Sequence, residues 1–162
     1  MKLLFTLIFV ILIVQSCETP PPVQQPNGQN ANGVNNDEQG VIVIEIPTEL
    51  RTQSTDWVFS PNKRIKIPDL PIDSIIFQAP LRSANEQPGA EAIVFNVSDN
   101  SFISSSIVRS NVYYTIVNYR SGNLKGYFNP RDYTIRVGLR REEEGNSVAI
   151  PYECKLIIYY QL

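Results

Sequence analysis

From Val41 to Leu162 the chain alternates apolar and polar residues in short runs, and turn residues punctuate the runs at short intervals. Period-two alternation rich in valine and isoleucine is the mark of half-buried strands. Val41–Ile46 opens the series and stops at Pro47. Strands are predicted next over Thr55–Ser60 and Lys63–Ile67, around the turn Ser60-Pro61-Asn62. Others follow over Ile72–Gln78, ending before Pro80, and over Ala92–Val97, ending at Ser98-Asp99-Asn100. Phe102–Val108 leads through Ser110-Asn111 to Val112–Tyr119, which closes on Ser121-Gly122-Asn123. The clearest case is Tyr133, Ile135, Val137 and Leu139 alternating with Thr134, Arg136, Gly138 and Arg140, as one strand of an antiparallel sheet does. Glu142–Asn146 turns the chain, and Val148–Gln161 is the last strand, bent or bulged near Pro151. Leu81–Ala92 alone has helix-forming composition, but Pro88-Gly89 interrupts it, so a long loop is expected. Some eight or nine short strands with no helix predict an all-β fold, a single antiparallel β-sandwich in preference to a barrel.

The N-terminal part breaks this pattern. Lys2 is followed by Leu3–Val14, an apolar run interrupted only by Thr6, and Val14-Gln15-Ser16-Cys17 sets a cysteine after a small residue. The run is too short for a membrane span, which takes about 20 residues. A cationic head, a short apolar stretch and a small-residue cleavage site describe a secretory signal over residues 1–16. Ending that signal on cysteine resembles the lipobox of bacterial lipoproteins. The resemblance implies cleavage before Cys17, acylation of Cys17 and anchoring in the cell envelope, with the outer membrane the expected address. Glu18–Gly40 then holds four Pro, three Gly, five Asn and four Gln in 23 residues. Such a segment buries too little apolar surface to offset its ordering entropy, so it reads as a disordered tether. As a free coil it would reach about 25–30 Å on average. The sandwich domain proper is predicted over 41–162, long enough to build a core without staples.

Within that domain, Asp132–Val137, a hairpin and a long closing strand resemble the last two strands of an immunoglobulin-like or fibronectin-type domain. The resemblance implies that Tyr133 makes the corner hydrogen bond such domains carry near the start of the penultimate strand.

Composition narrows the chemistry. The chain has no histidine, which removes Ser-His-Asp and Cys-His catalysis and imidazole-ligated metal sites. With Cys17 acylated, Cys154 is the one thiol left and reads as a buried small apolar residue on the last strand. Neither a metal nor a cofactor is expected. Thirteen Lys and Arg from Arg51 onward face thirteen acids from Glu45 onward, a balance that argues against a nucleic-acid partner. Glu142-Glu143-Glu144 reads as a solvated turn, and Ser104-Ser105-Ser106 as a polar strand segment.

Two features point to binding. All eight tyrosines fall between Tyr113 and Tyr160, in the half that also carries Arg109, Arg120, Arg131, Arg136, Arg140 and Arg141. Tyrosine with arginine is the composition of interfaces and glycan-stacking platforms, so Tyr114, Tyr159, Arg136 and Arg140 are the expected binding surface. Asp73-Ser74-Ile75 resembles the three-residue O-glycosylation sequon of some Bacteroidota-type envelope proteins, which would make Ser74 a modification site. Two functions remain open. One is a non-catalytic lipoprotein held to the membrane, whose sandwich binds a protein partner or a glycan, with a free strand edge at Tyr159–Leu162. The other is a histidine-free glycan hydrolase working with two carboxylates across a cleft.

Overall fold

In the computed structural model the described residues are 38–84, 89–110, 112–145 and 147–162. The expected signal peptide, Cys17 and the expected tether up to Asp37 lie outside them. The strands are β1 (Gln39–Ile46), β2 (Leu50–Thr52), β3 (Val58–Phe59), β4 (Lys63–Lys66), β5 (Ile72–Ser83), β6 (Ala90–Asn96), β7 (Ser101–Arg109), β8 (Val117–Asn123), β9 (Asp132–Arg141), β10 (Val148–Ile150) and β11 (Cys154–Gln161). One 3-10 turn, Lys125–Tyr127, interrupts them. The all-β antiparallel sandwich that the alternation predicts is the fold formed.

Three pairs of short strands act as single interrupted rows: β1 with β2, β3 with β4, and β10 with β11. In the first sheet, β1/β2 lies beside β10/β11, then β5, then β8 at the far edge. In the second, β3/β4 lies beside β9, then β6, then β7. Numbered along the chain, the eight rows run 1-8-3-6 in one sheet and 2-7-4-5 in the other. This is the order of a jelly roll, the double-sheet architecture made of two Greek keys. It alters two expectations. β9 and the closing strand lie in different sheets and do not form the hairpin that the immunoglobulin-like resemblance implies. Nor does β11 leave a free edge, since β1 flanks it on one side and β5 on the other. The expected corner bond is present: the backbone N–H of Asn129 donates to the hydroxyl of buried Tyr133 at 2.8 Å.

The core follows from the alternation. Ile75, Phe77, Ala79 and Leu81 of β5 point inward and are fully buried, as are Tyr133, Ile135, Val137 and Leu139 of β9. Leu156 and Ile158 of β11 and Ala90, Ala92 and Val94 of β6 pack with them.

A line of prolines crosses the first sheet. Ile46 pairs with Cys154 and Leu50 with Ile150, so the ladder resumes in the same register after three residues on each strand. Pro47 and Pro151 sit in those facing gaps, where neither needs to donate a ladder hydrogen bond. Towards β5, residues 150–154 stand opposite only 79–81, so the last row bulges outward there. This explains why β5 continues through Pro80 to Ser83, where an end before Pro80 was expected. The neighbouring row is interrupted at that very level. The expected single closing strand is accordingly two, β10 and β11, and the short β2 that pairs with β10 carries too few residues to show a period.

The remaining differences sit at ends and edges. β1 begins at Gln39, inside the expected tether, because Gly40 leaves room for the Tyr160 ring: a Cβ there would lie 2.2 Å from it. The strand expected over Val112–Tyr119 begins only at Val117, since Tyr114 has φ +61° and turns the chain. Thr55–Ser60 contributes only Val58 and Phe59 to a strand, and β6 starts at Ala90. The edge strands pair in part through side chains. Asn123 Oδ1 and Ser121 Oγ of β8 accept from the amides of Ile75 and Phe77, at 3.1 and 3.0 Å, where the β5–β8 register shifts. Ser106 Oγ does the same for Val94 at 2.8 Å across the β6–β7 bulge.

Cys154 is fully buried beside Thr48, as its place among apolar neighbours led us to expect. Burial pushes its thiol up to about 12 from an ordinary 9.0, against a hydrogen bond with Thr48 that lowers it. The native thiol thus keeps its proton through a range where the unfolded thiol loses it, so rising pH favours unfolding across that range. Denaturant titrations should show stability falling from about pH 9 towards about pH 12, and a Cys154→Ala chain should lack that component. At pH 8 the native thiol should resist iodoacetamide and react only after unfolding.

Candidate functional site

The second sheet covers its outer face with an array that register assembles. β9, β6 and β7 are adjacent, so Arg140, Glu91 and Arg109 fall in one row across the strands. Phe59, Gly138 and Ile93 form a second row over β3, β9 and β6, and Arg136, Phe95 and Phe102 a third over β9, β6 and β7. The middle row has a hollow at its centre. A Cβ on Gly138 would come within 2.9 Å of Phe59 and 3.1 Å of both Ile93 and Trp57, so only glycine admits these side chains onto the sheet.

Aromatic and cationic groups alternate over this hollow. The Arg136 guanidinium lies 3.9 Å from the Phe59 ring centre and 4.7 Å from that of Phe95, and the Arg140 guanidinium lies 4.5 Å from Trp57. Phe95 meets Phe102 edge to face at 4.9 Å and Phe59 at 5.6 Å. Cations over ring faces contribute from about 0.5 to 2 kcal/mol each, more as water is excluded.

Glu91 organises the array. Its side chain is fully buried, with Oε2 accepting from Arg140 Nε at 2.7 Å and Oε1 from Arg109 Nε. Burial alone would raise its carboxyl, but the hydrogen bonds and charges of Arg109 and Arg140 outweigh that and hold it below the ordinary carboxylate range. Arg136 has no carboxylate partner among the described residues, and its Nε, enclosed by the rings, has no acceptor. Phe102 at the edge of the array is 48% exposed. The surface therefore offers a partner an open ring and a guanidinium held in place.

The four residues expected to form one binding surface do not come together. Arg136 and Arg140 share this outer face, stacked on Trp57, Phe59 and Phe95 in place of tyrosines. Tyr159 lies on the outer face of the other sheet, in one row with Val41 and Ser74. Tyr114 sits in the β7–β8 connection, 59% exposed, its ring 5.7 Å from that of Tyr113. The adjacent pair Tyr159-Tyr160 does divide between the two faces, with Tyr160 turned in over Gly40. Ser74, the expected O-glycosylation site, is half-buried on a central strand beside Tyr159. The expected lipidation site Cys17 lies outside the described residues. Trp57, Phe59, Glu91, Phe95 and Phe102 were not singled out from sequence. One signal for them existed: Ala92-Ile93-Val94-Phe95 is apolar in both phases, as a strand covered on both faces must be.

Glu45, Glu49 and Glu153 line a cleft of about 470 Å3 at the proline line, walled by Pro47, Thr48 and Pro61. Among the described residues none of its walls is aromatic.

No protein-family model and no curated protein matches the chain. Among solved structures it is similar to the VP2 subviral particle of infectious bursal disease virus, at 12% identity and TM-score 0.42, over 83% of this chain and 42% of that one. It is also similar to the structure of the Gt strain of that virus, at 12% identity and TM-score 0.38, over 88% and 44%. The chain spans about two fifths of the length of the viral chains it matches.

Replacing Glu91 by Gln should cost about 1–3 kcal/mol at pH 7, because two guanidiniums lose their shared charge partner. The carboxyl is depressed in the folded state, so its contribution is present above about pH 4.5 and lost as pH falls below it. Denaturant titrations at pH 7 and at pH 3.5 should show the parent chain converging on Glu91→Gln at the lower pH.

Proposed function

We propose that this chain is a membrane-anchored, non-catalytic envelope lipoprotein whose sandwich binds a protein partner or a glycan through the outer face of the second sheet. The observation that supports this reading most directly is the array itself. Rings and guanidiniums are fixed in place before any partner arrives, so ordering them costs little on binding. Aromatic residues and arginine are also the side chains that contribute most to interfaces. In this reading acyl groups on Cys17 hold the protein to the outer membrane, and the segment after it sets the working distance. Two or more acyl chains make such anchoring stable where one is marginal. The module acts as an accessory subunit of an envelope assembly, by position and contact.

Two experiments test the reading separately. Labelled palmitate should mark the full chain, and Cys17→Ala should abolish the label and release the protein from sedimented membranes. An unlabelled parent chain would contradict the anchor. Crosslinking in intact cells should capture a partner through the second sheet, and Phe102→Ala with Arg136→Ala should weaken its recovery at least about 30-fold, as loss of a hot spot does. Full recovery by the double variant would contradict the binding face.

A further inference from the structure

At the β2–β10–β5 end of the first sheet the register builds a second site, independent of the array on the other sheet. Ala149 pairs with Arg51 on one side and with Arg82 on the other. All three point outward, since Val148 and Ile150 of β10 and Leu81 and Ser83 of β5 are the buried neighbours. Two arginines thus flank an alanine across three adjacent strands, with their Cα atoms about 10 Å apart. The short alanine leaves a slot of about 290 Å3 between them, closed by Ala84 and Ser147.

The electrostatics of the slot are one-sided. Nε and Nη2 of Arg51 both donate to Ser147 Oγ, at 3.3 and 3.1 Å, which fixes that guanidinium at the wall. Ser147 is itself buried, and its backbone carbonyl is held by the Ala84 amide at 3.1 Å. Among the described residues no carboxylate lines the slot. Neither arginine has an acidic partner among the described residues, in contrast to Arg109, Arg131 and Arg140, which each face a carboxylate.

We propose that Arg51 and Arg82 form a binding slot for a phosphate group, which enters over Ala149 and accepts hydrogen bonds from both guanidiniums. Guanidinium forks match such an oxyanion in geometry as well as charge. A carboxylate offers two oxygens in one plane and satisfies one fork. A phosphate presents three terminal oxygens in three directions and can engage forks arriving from opposite sides. Its charge also removes the mutual repulsion of the two arginines. The phosphate could belong to a soluble phosphorylated compound or to a lipid headgroup.

Titration of the full chain with inorganic phosphate, followed by 31P NMR at constant ionic strength, tests the slot. One saturable site is expected. Arg51→Ala and Arg82→Ala should each weaken it at least about tenfold, the size of a lost charge-assisted hydrogen bond. Arg64→Ala, on the other sheet, should leave it unchanged. Arg82 makes no polar contact within the described residues, so Arg82→Ala should melt like the parent chain and keeps the test clear of misfolding. Flotation of the full-length Cys17→Ala chain with vesicles of phosphatidate or of phosphatidylcholine distinguishes the sources. Capture by phosphatidate that Arg82→Ala abolishes identifies a headgroup, and phosphate binding without such capture identifies a soluble ligand. Absence of saturation, or equal weakening by Arg64→Ala, would overturn the proposal.

Discussion

A carboxylate taken wholly out of water has to be matched by charge, and in this molecule that requirement falls on Glu91. Its position near the start of β6, the strand between β9 and β7, places Arg140 and Arg109 on the two neighbouring strands, so the register of three strands and the pairing of one charge are the same condition. A one-residue slip of β6 would turn Glu91 into the core and Ala92 outward. Arg140, held by Glu91, lies over Trp57, and Trp57 closes the hollow above Gly138. The outer face of the second sheet is therefore a second apolar layer fastened by ions, where a half-exposed sheet would ordinarily be polar.

The two sheets solve the problem of an outer surface differently. The second is plated by rings and guanidiniums. The first is divided by its line of prolines into two regions. On one side lie Val41, Val43, Ile76, Ile157 and Tyr159, an apolar strip with Val41 and Val43 about half exposed. On the other lie Arg51, Ala149 and Arg82. The proline line costs the sheet several ladder hydrogen bonds, and the two facing gaps confine that loss to one level. Pro80 survives inside a central strand only because its neighbour is interrupted beside it.

Much of this was legible in the sequence, and what was not has a physical reason. Alternation located β1, β4 and β9, because burying one face forces a period of two, while β6, covered on both faces, and β7 were located as β-rich runs between turn residues. Tyr133 was legible as a corner residue, and its bond to Asn129 is there. Row order was not legible, since alternation carries no information on which sheet a strand joins. The site was legible only in part. Arg136 and Arg140 stood out by charge, but the tyrosines that accompany them in sequence do not accompany them in space. Their actual partners come from β3, β6 and β7, at sequence distances that no local pattern spans. Glu91 gave no warning, because a buried carboxylate and an exposed one are the same letter.

The central claim is that the Glu91 charge cluster and the ring layer form one cooperative unit that presents a fixed surface. A double-mutant cycle joining Glu91→Gln and Trp57→Ala measures it directly, since Arg140 bonds Glu91 and lies over Trp57. The account predicts a coupling of at least about 0.5–1 kcal/mol in denaturant stability. Effects that add to within about 0.3 kcal/mol would show clamp and rings to be independent and would contradict it.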